Sequence, residues 1–173
     1  MDFQTIATSS VAATIASVVL NRAIEWQKNG ARARAVLNGI LLELNHAQRC
    51  AAAYLEDSRT KPWRPGYRIV TEFLQSGIAS LAQSGSLKSG ETSALHQLYI
   101  DAGEANRSLD LLTDIGSRGG PTDGTFGRIV PDILINESSR ARVKFQNVLE
   151  HLPAAQAAVQ QALNRLQWFE SQD

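Results

Sequence analysis

Apolar positions recur along the chain at three- and four-residue steps, and nowhere alternate one for one as a half-buried strand requires. The first stretch, residues 3–21, holds no charged residue and predicts a hydrophobic helix. After Gly30, a plausible break, residues 31–57 predict a long helix whose seam is Leu37, Leu41, Leu44, Gln48, Ala51 and Leu55, widened by Val36 and Ile40. Gln48 in that seam either fixes register or sits at its edge. Pro62 and Pro65 end any helix in the connector 58–66, where Trp63 either caps the bundle end or binds a partner. Val70, Phe73, Leu74, Ile78 and Leu81 mark the next helix, over 67–82.

A Gly/Ser turn at 83–91 offers Ser89 or Thr92 as an N-cap. Residues 91–115 then bury Leu95, Leu98, Tyr99, Ala102, Ala105, Leu109 and Leu112. A glycine-rich loop, 116–127, separates this helix from one that starts near Arg128, has Pro131 in its first turn, and carries Ile129, Ile133, Leu134, Val143, Val148, Leu149 and Leu152. Pro153 is expected to open a last helix bearing Ala157, Leu163, Leu166, Trp168 and Phe169. The pattern therefore predicts an all-α fold, an antiparallel helical bundle of five to six helices with a hydrophobic N-terminal helix. Residues 1–29 form the hydrophobic unit and residues 30–173 the bundle domain.

As a helix, residues 3–21 would be roughly 28 Å long, near the hydrocarbon thickness of a bilayer. Large apolar residues share the stretch with small and hydroxylated ones. At 100° per residue, Ala7, Ser10, Thr14, Ser17 and Asn21 fall on one narrow stripe. Small residues let helix backbones approach closely. In lipid such a stripe would turn toward another helix or a water-filled lumen; in a soluble assembly it would be a tight helix contact. Both readings stand on the sequence.

Arg22, Lys28, Arg32 and Arg34 follow the stretch against Glu25 alone. A spanning helix would accordingly keep its C-terminal domain in the cytoplasm, at an inner membrane. The alternative is a cytoplasmic protein.

Composition narrows the field. The 17 Lys+Arg and 17 Asp+Glu cancel, which argues against nucleic acid as a partner. Within 22–68, nine cations face four acids. The basic connector Arg59, Lys61, Arg64 and Arg68 has the chemistry to meet phosphates or lipid headgroups. A single cysteine, Cys50, excludes an internal disulfide.

Candidate chemistry is sparse. Glu43 and His46 form an E-x-x-H step with Cys50 one turn on, but a di-iron bundle needs a second such step and two further glutamates. Zinc needs three or four ligands, and only His46 and Cys50 are neighbours by spacing. No metal or other cofactor is expected. The Arg-x4–6-His signature of HEPN ribonucleases is absent. The loop around Arg118, Gly119, Gly120 and Arg128 has glycines and arginines before a helix N-terminus, suited to an anion or nucleotide, but it lacks the Gly-Lys-Ser/Thr of a P-loop.

Residues 67–106, through Tyr67, Phe73, Ser84-Gly85-Ser86-Leu87, Leu95, Tyr99 and Asn106, resemble a pattern in short bacterial and archaeal proteins of unknown function. Those proteins join one N-terminal membrane helix to a small helical cytoplasmic domain. The resemblance implies a membrane anchor and no catalytic residue.

The sequence thus points to a non-enzymatic protein that forms homo-oligomers through its first helix, anchored in membrane lipid by residues 3–21 and possessing the stripe a pore would need. The alternatives are a soluble helical adaptor and a ligand-binding domain that uses loop 116–127.

Overall fold

The computed structural model describes the backbone of residues 3–58, 67–118 and 129–170, and the side chains of 28–58, 67–115 and 133–167. Four helices account for nearly all of it: α1 (Phe3–Asp57), α2 (Glu72–Gln83), α3 (Ser89–Arg118) and α4 (Ile129–Glu170). The all-α expectation holds, with four helices in place of five to six. Two anticipated breaks are absent. α1 passes through Gly30, where even an added Cβ would meet open space. α4 passes through Pro153, which sits on the exposed face. Proline there removes the bond to the carbonyl four residues back and crowds that carbonyl with its ring, a cost that packing on the neighbouring turns outweighs. Leu152 and Ala155 on either side are buried and hold the helix together.

Packing partners define the topology. α1 touches α2 and α4, and α3 touches the same two. Arg34 donates to the Leu166 carbonyl, Gln156 to Gln48, and Arg142 to the Leu55 carbonyl, so α1 and α4 are antiparallel. Arg165–Glu91 and His151–Asp101 make α3 and α4 antiparallel as well. Phe73 lies over Gly39, and Gly77 lies against Val36 and Ile40, which runs α2 back along α1. The result is an up-down-up-down four-helix bundle with one short member.

A single spacing builds the core. Ala33, Leu37, Ile40, Leu44, Ala47, Ala51 and Tyr54 are buried on α1; Glu91, Leu95, Leu98, Ala102, Ala105, Leu109 and Leu112 on α3; Ala141, Phe145, Val148, Leu152, Ala155, Val159 and Ala162 on α4. Steps of four and three alternate throughout, the 3.5-residue period that keeps facing seams in register.

On α1 the observed seam differs from the expected one. Ile40, Ala47 and Tyr54 replace Leu41, Gln48 and Leu55; Gln48 is exposed, while the other two leucines are partly buried. The largest side chains stack at one level, with Tyr54 against Phe145 at 4.1 Å between centroids and edge-on to Tyr67 at 5.5 Å. The expected apolar stripes also lose Val70, Phe73, Ile133 and Val143, each more than two-fifths exposed.

Local chemistry fixes the ends of α2. Its N-cap, Thr71, makes no side-chain cap bond. Glu43 of α1 accepts the Phe73 and Leu74 N–H groups instead, at 2.8 and 2.9 Å. At the other end Gly85 takes φ +71°, Ser86 N–H reaches the Leu81 carbonyl and Gly85 N–H the Ala82 carbonyl. That is the left-handed glycine stop of a Schellman motif. α3 begins at Ser89, so neither Ser89 nor Thr92 is its N-cap; Glu91 reaches back to the Lys88 N–H.

Close approach of α1 and α2 needs both of their facing glycines. A Cβ on Gly77 would stand 2.6 Å from Val36 Cγ1, and one on Gly39 would stand 2.5 Å from the Phe73 ring.

Candidate functional site

α1 is longer than the bundle it belongs to. Its 55 residues span about 82 Å at 1.5 Å per residue. Leu166 lies beside Arg34 and α4 ends at Glu170, so an antiparallel partner reaches only to about residue 30. Among the described side chains of α1, which start at Lys28, the first buried one is Ala33; Lys28, Asn29, Ala31 and Arg32 are not buried. Residues 3–29 therefore continue as helix for about 40 Å past the end of α4. This projecting half carries the charge-free stretch 3–21. The backbone there belongs to α1, which is no separate hydrophobic helix, and the side chains of the stripe Ala7, Ser10, Thr14, Ser17 and Asn21 lie outside the described residues. Among the described residues no helix is long and apolar enough to cross a membrane, so the expected membrane helix and pore gain no support from the structure.

The residues on either side of the basic connector lie away from that end. Ser58 and Tyr67, which bracket it, lie at the opposite end of the bundle. Arg142 donates to the Leu55 carbonyl and the Ser58 hydroxyl, and Tyr67 donates to Asp57. Arg68 pairs with Asp110 on α3.

Of the loop residues singled out, Gly119, Gly120 and Arg128 lie outside the described residues, as does the side chain of Arg118. The backbone of Arg118 belongs to α3, which continues through Gly116.

The E-x-x-H step is dismantled. Glu43 turns to the N-terminus of α2, whereas His46 Nε2 sits 3.3 Å from Cys50 Sγ and 3.2 Å from the Arg68 carbonyl. Among the described residues no three His, Cys, Asp or Glu side chains gather as a metal site. Burial pushes the Cys50 thiol above its ordinary range, with Arg49 offsetting part of that. A thiol so protected stays protonated at neutral pH and is a poor nucleophile even beside an imidazole.

The remaining polar groups hold helices together. Asp101, buried on α3, takes His151 Nδ1 at 2.7 Å and the Gln97 amide at 3.2 Å. Asn106 clamps Ile69 at both its N–H and its carbonyl, at 2.9 and 2.8 Å. Arg165 forks onto both oxygens of Glu91 and also donates to the Ser86 carbonyl. An open groove of about 550 Å³ runs past Leu87, Ser89, Thr92, Ser93 and His96, with no pair of groups set for catalysis.

The Arg165 guanidinium holds the Glu91 carboxyl below its ordinary value of 4.5, against the opposing effect of burial, with the Lys88 N–H helping. A carboxyl depressed on folding stabilises the fold above its unfolded pKa, and the contribution is lost as pH falls through the folded one. Arg165→Met should cost about 2–3 kcal/mol at neutral pH, because it strands a buried carboxylate. In urea titrations the gap between variant and wild type should close below pH 4.5. A gap that is constant with pH would show that the pair contributes only by packing.

No protein-family model, curated protein or solved structure matches the chain.

Proposed function

We propose that this is a self-associating helical protein that acts by assembly and not by catalysis, with the projecting half of α1 as the contact between copies. The observation that carries the reading is the unbroken α1, which extends about 40 Å beyond its own bundle as a helix without charge over residues 3–21. Among the described residues no other helix of the chain runs alongside residues 3–29, and in this reading their small-residue stripe meets the same stripe on other copies. Anchorage through 3–21 is part of this proposal, supported by the length of the charge-free stretch and by the resemblance of residues 67–106 to proteins with one N-terminal membrane helix. Several stripes meeting around an axis would line a lumen, the basis for a permeabilising, defence-type role.

The mass of the native particle, measured with and without detergent, tests it. Wild type should form a discrete oligomer, and Thr14→Leu or Ser17→Leu should reduce it to smaller species while Val19→Leu leaves it intact. Identical elution of all three variants sinks the stripe. Full recovery of the protein in the soluble fraction without detergent removes the anchor and leaves a soluble adaptor. That second reading draws on the exposed apolar side chains Leu42, Val70 and Phe73.

A further inference from the structure

Among the described residues, cations outnumber carboxylates at the end of the bundle from which α1 emerges. Arg34 on the Leu166 carbonyl brings the last turns of α4 to this end, and Arg165 on Ser86 and Glu91 brings the α2–α3 turn. Together these contacts gather Lys28, Arg32, Arg34, Lys88 and Arg165. Among the described residues the carboxylate at this level is Glu91, and Arg165 occupies both of its oxygens. Lys28, Arg32 and Lys88 are exposed, and none of them has a salt bridge among the described residues.

We propose that this cationic end is a docking face for an anionic phospholipid surface, a reading that rests on anchorage through residues 3–21. The axial distances fit. Lys28 follows Asn21 by about 10 Å along the helix and Arg32 by about 16 Å. Headgroups extend roughly 5–8 Å beyond the hydrocarbon on each side, and long cationic side chains reach back toward that layer. The negative surface potential persists for about a Debye length, 8–10 Å at physiological salt. The Lys28 side chain reaches back into the headgroups, and Arg32 falls within the potential above them, with Lys88 at the same end of the bundle. The bundle would then stand end-on against the membrane, with Ser58 and Tyr67 at the far end.

The test uses the full chain with vesicles of phosphatidylcholine alone and vesicles that also contain phosphatidylglycerol, read by co-sedimentation. At roughly fivefold per cation, three cations should favour the anionic vesicles on the order of a hundredfold. High salt should erase the preference. The combined variant Lys28→Gln, Arg32→Gln, Lys88→Gln should lose it while still binding both vesicle types, and Arg107→Gln should keep it. Far-UV circular dichroism verifies that the combined variant is folded; if it is not, Lys28→Gln and Lys88→Gln singly should each lose about fivefold. A folded variant with wild-type preference, or a wild type with no preference, overturns the docking face and leaves the anchor standing. A wild type that binds neither vesicle overturns both.

Discussion

Phe145→Ala should cost about 3–5 kcal/mol, the largest loss expected from any single substitution in the bundle. The ring is fully buried and stacks on Tyr54, whose own ring meets Tyr67 edge-on. Alanine would lose both the transfer free energy of the ring and the contacts around the cavity left behind. Tyr54 is held by α1 and Tyr67 by the segment before α2, so neither can slide far to fill the space. Against a total stability of about 5–15 kcal/mol for a domain, the loss is a large share, and the melting temperature should fall on the order of 10 °C. Urea denaturation monitored by circular dichroism measures it. A cost below about 1 kcal/mol would mean that the aromatic stack is not part of the core. The double variant with Tyr54→Ala should lose less than the sum of the two, because both open the same space.

Glu43→Ala should cost about 2–4 kcal/mol by a different route. The Phe73 and Leu74 N–H groups at the start of α2 have no partner on their own segment, since Thr71 makes no side-chain cap bond. Leu74 is fully buried, so water cannot easily take over its N–H when the carboxylate is gone. Glu43→Gln retains one acceptor oxygen and should recover about half of the loss. Hydrogen exchange localises the effect: amides at the start of α2 should lose protection well before those of α3. Uniform loss across all four helices would show that Glu43 supports the whole core and not this one helix end.

The fold was largely legible because three long helices keep one spacing of apolar residues. On α3 every position expected at the core is buried or packed against it. α1 was harder to read, because two overlapping series of apolar residues share Leu37, Leu44 and Ala51. Packing against α4, α2 and the segment before α2 selects the series that contains Ile40, Ala47 and Tyr54. Pro153 and Gly30 suggest breaks in the sequence because local preference disfavours both inside helices. Both stand where tertiary contacts on neighbouring turns override that preference or where nothing opposes it.

The candidate chemistry was least legible. Glu43 and His46 share a helix face at metal-ligand spacing, but which partner claims each depends on the segment 67–74 folding back across α1. No local pattern encodes that return. Tyr67, Gly85, Leu87 and Asn106, part of the motif that suggested a family, have structural uses: a bond to Asp57, a helix stop, a core contact and a clamp on Ile69.

Because α1 is one rod shared by projection and bundle, no loop uncouples them. A torque applied to its leading end, by neighbouring copies or by a bilayer, would be felt as rotation of Leu37, Ile40 and Leu44 within the core. Neighbours that set the twist of the rod would thereby set how tightly the interior closes.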